Sequence, residues 1–325
     1  MKKLSALIKD KKHIGISGHV RPDGDCVGAC LALYQYVKKL APGALVEVNL
    51  EKPQDKFAFI KGYDDIKSDF KMRNKYDLYF CLDVSTVDRL GAAADYFVEA
   101  QETVVIDHHV SNDGNFGDNV DITPMASSTC ERLYQLMAED HKKEIDADIA
   151  AALYTGIIND SGIMQYSCTT EVTLKVVGEL LNYGINSSKI IDETFHEKTY
   201  VQNQLLGRAL LESIIFMDGM GIVSVVDRKL LDFYQATSAD LDGIVNQLLY
   251  TKGVHFAILL TEMDTLTYKA SMRSDDAVDL AKIAKAVGGG GHARAAGCTL
   301  SGTHHDVINI LSKYIEKELK ENGYR

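Results

Sequence analysis

The chain has 325 residues, 46% of them hydrophobic and 25% charged, a composition typical of a soluble globular protein and not of a low-complexity chain. This length exceeds one hydrophobic core of usual size, so we expect two domains. The net charge of −11 argues against sequence-independent binding of long nucleic acid and favours a small or short anionic substrate.

The first half of the chain alternates short apolar runs with segments of helical periodicity. This order is typical of an α/β domain built on a doubly wound, mainly parallel sheet. The run at 77–84 is nearly continuous in apolar residues, as in strands buried on both faces. We predict strands at 13–18, 45–50, 77–84 and 103–106, and helices at 25–39, 128–141, 147–158 and 171–183.

The second half changes character after a helical segment at 186–211, and it predicts a smaller α+β domain. Its predicted strands are 214–216, 221–226, 255–260 and 267–272, and its predicted helices are 239–249, 279–286 and 305–319. We therefore expect a first domain at 1–185, a helical linker at 186–212 and a second domain at 213–325, facing the first across a cleft.

The six cysteines are scattered and include no Cys-x-x-Cys pair, which favours buried free thiols in a reducing compartment. The N-terminus lacks a long apolar region, and no stretch approaches the length of a membrane span. We expect a cytoplasmic protein without membrane contact.

Carboxylate and imidazole side chains concentrate where the predicted strands of the first domain end. His19, Asp23 and Asp25 follow the first strand, Asp83 lies at the end of the third, and the triplet 107–109 (Asp-His-His) follows the fourth. In parallel sheets, ligands gather beyond the carboxyl ends of the strands. Asp160 ends an apolar helix, where its charge opposes the helix dipole unless a cation or hydrogen bonds offset it.

Each of these residues alone is also explained as a helix cap, a strand end or a polar residue on an exposed loop. Together, four neighbouring carboxylates would repel one another by several pK units, and two divalent cations would remove that repulsion. Mixed imidazole and carboxylate ligands suit Mn²⁺ better than Mg²⁺, with Co²⁺, Zn²⁺ and Fe²⁺ left open. The candidate metal ligands are His19, Asp23, Asp25, Asp83, His108 and Asp160.

Read in chain order, these residues resemble the motifs of the DHH phosphoesterase superfamily, named for a triplet like Asp107-His108-His109. The segment 288–297 is similar to the Gly-Gly-Gly-His signature of the DHH-associated C-terminal domain, so the resemblance spans nearly the whole chain. The length points to the stand-alone, NrnA-like branch of oligoribonucleases that also act on 3′-phosphoadenosine 5′-phosphate.

The resemblance implies a role for each residue of the first domain. His19, Asp23 and Asp83 would hold one metal ion, and Asp25, Asp83, His108 and Asp160 the second, with Asp83 as the bridge. His109 would face the substrate phosphate or the leaving oxygen, and Asp107 would orient an imidazole from behind. His109, Asp83 and Asp107 are the candidate catalytic residues.

In the second domain, the backbone of the glycine run could approach a phosphate closely, and neighbouring polar groups could bind it. The alternative is a flexible turn. Arg273, at the end of an alternating strand, could bind a terminal phosphate with two hydrogen bonds; the alternative is an exposed charge on an edge strand. The candidate substrate-binding residues are Arg273, Ser271, Gly289, Gly290, Gly291, His292 and Arg294.

We expect a metal-dependent exoribonuclease that degrades very short RNA to mononucleotides and dephosphorylates 3′-phosphoadenosine 5′-phosphate. Its partners would be short RNA and small nucleotides, not long duplexes; monomer and homodimer both remain open. The first alternative is an inorganic pyrophosphatase, an exopolyphosphatase or a linear or cyclic dinucleotide phosphodiesterase of the same superfamily. The second is a non-catalytic nucleotide-binding regulator, disfavoured because every expected metal ligand is present.

Overall fold

The computed structural model describes residues 1–71, 75–275 and 277–324. The chain forms two compact units, Met1–Glu197 and Lys198–Arg325. The break falls inside the segment 186–212, which we expected to be a linker. The expected domain borders at 185 and 212 therefore remain a prediction.

The first unit is built on a five-stranded sheet in which every neighbouring pair is parallel. This confirms the predicted α/β class. The strand order is β2-β1-β3-β4-β5. Its strands are β1 (His13–Ser17), β2 (Leu45–Asn49), β3 (Leu78–Leu82), β4 (Thr103–Asp107) and β5 (Asn119–Ile122).

Helices cover both faces of this sheet, as expected for a doubly wound fold. One face packs against most of the helices. The other face packs against α3, and this contact contains an aromatic cluster that includes Tyr76, Tyr79 of β3 and Phe97 of α3. The helices are α1 (Leu4–Ile8), α2 (Gly24–Leu40), α3 (Ala94–Glu99), α4 (Thr129–His141), α5 (Ala147–Asp160), α6 (Glu171–Leu181) and α7 (Ser187–Ile191).

The central helices α2 and α5 approach each other closely because glycines lie at their contact. A Cβ atom on Gly28 would lie 2.5 Å from the carbonyl oxygen of Ala152. A Cβ atom on Gly156 would lie 2.2 Å from Cys130 Sγ and 2.6 Å from Asp25 Oδ1. Real side chains cannot approach so closely, so these glycines set the spacing between the helix that begins near Asp25 and the helix that ends at Asp160.

The second unit contains a six-stranded sheet of order β10-β11-β9-β8-β7-β6, antiparallel except between β7 and β8. Its strands are β6 (Ile214–Phe216), β7 (Gly221–Val226), β8 (Phe256–Asp264), β9 (Thr267–Ser274), β10 (Gly290–His292) and β11 (Ala295–Ser301). Its helices are α8 (Tyr200–Leu211), α9 (Arg228–Tyr234), α10 (Ile244–Leu249), α11 (Leu280–Ala286) and α12 (His304–Glu321).

One predicted helix of this unit was wrong in extent. The segment 239–249 is divided between a short 3₁₀ turn, Ser238–Leu241, and α10. Gly243 separates them with φ of 80°, a left-handed conformation that glycine adopts without a steric penalty.

The predicted free thiols are confirmed: all six cysteines are free, and all but Cys168 are buried. Within the part of the chain that the structure describes, no helix has the length and apolar character needed to cross a membrane.

The strand order of the first unit determines where a ligand can bind. From β1 the chain proceeds to β2 on one side, whereas β3 lies on the other side of β1. Such a reversal opens a crevice beyond the carboxyl ends of the two central strands. His19 lies just beyond β1 and Asp83 just beyond β3, on the two sides of this point.

Candidate metal centre

The first group of candidate ligands lies where β1 leads into α2. Asp23 caps α2, because its Oδ1 accepts hydrogen bonds from the N–H groups of Asp25 and Cys26, both at 3.2 Å. The same Oδ1 lies 3.5 Å from His19 Nε2. The capping role and the candidate ligand role are therefore compatible.

The imidazole of His19 is buried and oriented by the backbone. Its Nδ1 lies 2.9 Å from the carbonyl oxygen of Val20 and must donate the hydrogen bond, since a carbonyl only accepts. This leaves Nε2 facing the carboxylates of Asp23 and Asp83, as a metal-ligating nitrogen requires.

Asp83 lies between two groups of candidate ligands. Its Oδ2 is 3.4 Å from His19 Nε2, whereas its Oδ1 is 3.6 Å from both His108 Nε2 and His109 Nδ1. The residue is 2% exposed and has φ of 58°, in the left-handed region that non-glycine residues rarely occupy. Strained backbone of this kind concentrates at functional sites.

The third group consists of Asp25, His108 and Asp160. Asp25 is fully buried, and its two oxygens accept hydrogen bonds from the N–H groups of Thr129 and Cys130 at the start of α4, at 2.7 and 2.9 Å. Asp160, the last residue of α5, has its Oδ2 3.0 Å from His108 Nε2. The N-terminus of α4 thus stabilises the Asp25 carboxylate.

All six candidate ligands therefore come together. Among the described residues, three groups have ligand atoms within 4.8 Å of one another: His19 with Asp23 and Asp83, Asp25 with His108 and Asp160, and Asp83 with His108 and His109.

The electrostatics of the site fit divalent cations. Burial raises the pKa of Asp160 to about 6, and the charges of Asp83 and Asp23 act in the same direction. Burial also raises the pKa of Asp25, assisted by the charges of Asp83 and Asp160. Burial alone would lower the pKa of His19, but its contacts with Asp23 and Asp83 outweigh burial and raise it to about 12. Clustered negative charge of this kind is what a bound cation offsets.

Behind this cluster, Asp107 orients His109. The His109 Nδ1–H donates to Asp107 Oδ1 at 2.7 Å, and this contact raises the pKa of His109. Asn112 was missed by the sequence analysis. Its amide donates to Asp107 Oδ2 at 2.8 Å and to the Val84 carbonyl at 3.0 Å, so it links the ends of β3 and β4. Its position three residues after the triplet was the one available signal.

Five of the seven predicted substrate-binding residues of the second unit lie on the strands β9 and β10: Ser271, Arg273, Gly290, Gly291 and His292. Gly290 pairs with Gly297 and Gly297 with Ser271; His292 pairs with Ala295 and Ala295 with Arg273. Directly paired residues, and residues two apart on one strand, share a face of the sheet. The opposite face is buried in the core through Ala270, Met272, Ala296 and Cys298.

On this face, Arg273 and His292 are accompanied by small residues, namely Ser271, Gly290, Ala295 and Gly297. Arg273 is half-buried, and its Nη1 donates to the carbonyl of Met272 at 2.9 Å. The alternative of an edge-strand charge is wrong, because β9 lies between β8 and β11. Arg294 lies in the exposed turn between β10 and β11.

The glycine run has a structural role that the sequence analysis did not assign. The Gly288 N–H donates to the Lys285 carbonyl at 3.3 Å and the Gly289 N–H to the Ala284 carbonyl at 2.7 Å, which terminates α11. These two N–H groups are therefore engaged within the protein. Glycine at position 289 is also required by packing, because a Cβ there would lie 2.2 Å from the Gly297 carbonyl oxygen.

Two family models match the chain, and their positions agree with the geometry. Residues 13–157 match the DHH family, N-terminal domain, and residues 221–321 match the DHHA1 domain. The chain therefore carries a DHH domain followed by a DHHA1 domain. All six candidate metal ligands except Asp160 lie inside the first match, and all candidate substrate-binding residues lie inside the second.

Curated relatives extend the match over nearly the whole chain. The chain is 28% identical to the bifunctional oligoribonuclease and PAP phosphatase NrnA of Thermus thermophilus, over 96% of this chain and 91% of that protein. It is 24% identical to the protein of the same name from Bacillus subtilis, over 87% of each.

Solved structures share the fold. An exopolyphosphatase-related protein from Bacteroides fragilis has a TM-score of 0.88 and 24% identity, covering 98% of this chain and 96% of that one. The exonuclease RecJ bound to manganese has a TM-score of 0.54 and 12% identity, covering 97% and 93%.

Proposed function

We propose that this chain is a two-metal phosphoester hydrolase that degrades very short RNA to mononucleotides and dephosphorylates 3′-phosphoadenosine 5′-phosphate. The observation that carries the proposal is the position of Asp83, whose two oxygens face two different groups of imidazole and carboxylate side chains. The names of the relatives in Thermus and Bacillus support the choice of substrates.

In this proposal, His19, Asp23 and Asp83 hold one divalent ion, and Asp25, Asp83, His108 and Asp160 hold the other, with Mn²⁺ as the first candidate. When bound, such a pair of ions supplies a hydroxide nucleophile at neutral pH and neutralises charge on the phosphoryl oxygens. The protein's own contribution is to fix the ligands through the hydrogen bonds described above.

His109 is the proposed proton donor to the departing oxygen. Its ring is less buried than that of His19, and Asp107 fixes its Nδ1 side. Nε2 is thereby left to face a substrate, with a proton that the raised pKa of the ring keeps in place. Asp107 stabilises the charged ring and orients it, while Asn112 holds Asp107.

The second unit is proposed to bind the substrate through the face that carries Arg273 and His292. Arg273 would bind a phosphate with two parallel hydrogen bonds, which a point charge cannot do. Ser271 and Gly290 lie on the same face and Arg294 in the adjoining turn, whereas Gly291 pairs with Ala296 of the opposite face.

The test is a parallel assay with Mn²⁺ and three substrates: a labelled RNA dinucleotide, 3′-phosphoadenosine 5′-phosphate and pyrophosphate. We expect turnover of the first two. Hydrolysis of pyrophosphate alone would replace this proposal with a pyrophosphatase, and no turnover of any substrate with any divalent metal would favour a non-catalytic regulator.

A variant series assigns the substrate role. Arg273→Ala should raise the KM for the dinucleotide about tenfold or more, the cost of one charge-assisted contact, with a smaller change in kcat. Arg228→Ala is the matched control, since Arg228 is an exposed arginine of the same unit with an ion pair to Asp232. Equal kinetics for both variants would remove Arg273 from the proposed site.

A further inference from the structure

Thr129, the first residue of α4, contacts two of the three carboxylates that would hold the proposed second metal ion. Its hydroxyl donates to Asp83 Oδ1 at 3.1 Å, and its backbone N–H donates to Asp25 Oδ2 at 2.7 Å. The residue is fully buried. Asp83 and Asp25 are 46 and 104 positions away from it in the chain, so the contacts exist only in the folded protein.

The hydroxyl of Thr129 is not needed to cap the helix. Ser128 does that, since its Oγ accepts from the Glu131 N–H at 3.0 Å. A hydroxyl in the first turn of a helix commonly bonds to nearby backbone. The Thr129 hydroxyl instead points at a carboxylate of another element, which a purely local role does not explain.

The first turn of α4 is held in place by a buried carboxylate. Glu131 is 1% exposed, and its Oε2 accepts from the Ser127 N–H at 3.1 Å, the Ser127 hydroxyl at 2.6 Å and the Thr173 hydroxyl at 2.7 Å. Thr173 belongs to α6, so two helices fix this turn. Thr129 is therefore presented from a rigid support.

We propose that Thr129 is a positioning residue that holds the Asp83 carboxylate with one oxygen toward each metal ion. A carboxylate oxygen has two lone pairs, and the Thr129 hydroxyl occupies one on Oδ1. The remaining lone pair of Oδ1 faces the side of His108, while Oδ2 faces His19. Without the hydroxyl, the carboxylate is free to rotate and to bind a single ion with both oxygens. This inference rests on the proposed two-metal function.

Mn²⁺ binding measured by isothermal titration calorimetry, on the full chain without substrate, tests this role. Thr129→Val keeps the shape and removes the hydroxyl, and Thr129→Ser restores it. Thr155→Val is the matched control: Thr155 is also fully buried on a helix, but its hydroxyl bonds to the Ala151 carbonyl of its own helix. The melting temperature of each variant is measured alongside.

We expect the wild type to bind two Mn²⁺ ions and Thr129→Val to bind one of them about 10–100-fold more weakly, the usual effect of losing a partner behind a ligand. The other event should change less than about threefold, and Thr129→Ser and Thr155→Val should match the wild type in both events.

Unchanged binding in Thr129→Val would overturn the proposal, as would failure of Thr129→Ser to restore it. Equal weakening of both events, matched by Thr155→Val, would assign Thr129 a merely structural role. A wild type that binds fewer than two Mn²⁺ ions would overturn the proposed function itself. The wild-type stoichiometry therefore tests the function, and the comparison of variants tests the role of Thr129.

Discussion

At the residue scale, the proposed two-metal site depends on Asp83. It follows a fully buried strand, has a left-handed backbone and faces the imidazoles of His19, His108 and His109. Left-handed backbone at a non-glycine residue costs about 1–3 kcal/mol and persists where the surroundings enforce it. The hydrogen bond from Thr129 and the link from Asn112 to the Val84 carbonyl are two such constraints.

Asp83→Asn should abolish the activity, by about 10³-fold or more in kcat, because a neutral amide cannot bridge two cations. The assay is turnover of the dinucleotide with saturating Mn²⁺. Asp95→Asn is the control, since Asp95 is an exposed carboxylate on α3. A kcat for Asp83→Asn within tenfold of the wild type would contradict the bridging role.

Metal affinity should rise with pH. In the metal-free protein, the carboxylates around His19 and His108 raise their pKa values to about 12 and about 10, so both rings are protonated at pH 7. A metal ion must displace these protons, so each proton released strengthens binding about tenfold per pH unit below those values. Calorimetric titrations at pH 6, 7 and 8, in two buffers of different ionisation enthalpy, measure the metal affinity and the number of protons released on binding. An affinity that stays constant or falls as the pH rises would contradict this prediction.

The proximity of His19, Asp83 and His108 could be expected from sequence because strand ends in a parallel sheet meet at one edge. The roles of Asn112, Thr129 and Glu131 could not. Their side chains form hydrogen bonds with residues that are distant in the chain, such as Thr129 with Asp83 and Glu131 with Thr173. The sequence does not specify which distant segments come together. Taken alone, Ser127 to Glu131 only predicts a capped helix start.

At the element scale, the contact between α2 and α5 fixes the distance between Asp25 and Asp160. Gly156 lies at this contact, beside Cys130 Sγ and Asp25 Oδ1. The position of the site therefore depends on residues without side chains as much as on the ligands.

Gly156→Ala should destabilise the protein by about 1–3 kcal/mol, because the added methyl group overpacks the contact. It should also weaken Mn²⁺ binding by displacing Asp25. Gly178→Ala is the matched control, because it adds the same methyl group to α6 at a position where no neighbouring heavy atom lies within 4 Å of the new Cβ. That variant should gain up to about 1 kcal/mol. Denaturant unfolding measures both, and equal stabilities would contradict the packing argument.

Elements with long apolar runs or clear helical periodicity were predicted, including α2, α4, α5 and the strands β1 to β4. β5, β10 and β11 were not. β5 contains Asn119 and Asp121 and lies at the edge of its sheet, and two of the three residues of β10 are glycine. These strands form because neighbouring strands pair with them, and the residues within each segment do not indicate that pairing. The glycine run that reads as a loop is therefore a helix end followed by a hairpin strand.

At the scale of the whole molecule, part of the net charge of −11 lies in the candidate metal centre. Without bound cations, the buried Asp25 and the partly buried Asp160 lie among like charges, and both burial and these charges raise their pKa values. The second unit contains none of these residues.

Treatment with EDTA should therefore lower the melting temperature of the first unit. A ligand present at 100 times its Kd stabilises the state that binds it by about 2.7 kcal/mol, and EDTA removes that contribution. Differential scanning calorimetry with and without Mn²⁺ measures it. Identical melting with EDTA and with excess Mn²⁺ would show that no ion binds the folded chain.

The most direct measurement is anomalous X-ray diffraction from crystals grown with Mn²⁺. We expect two anomalous peaks about 3.5–4 Å apart. One should contact His19, Asp23 and Asp83, and the other Asp25, His108 and Asp160, with Asp83 contacting both. A single peak, or two peaks that do not share Asp83, would contradict the two-metal centre.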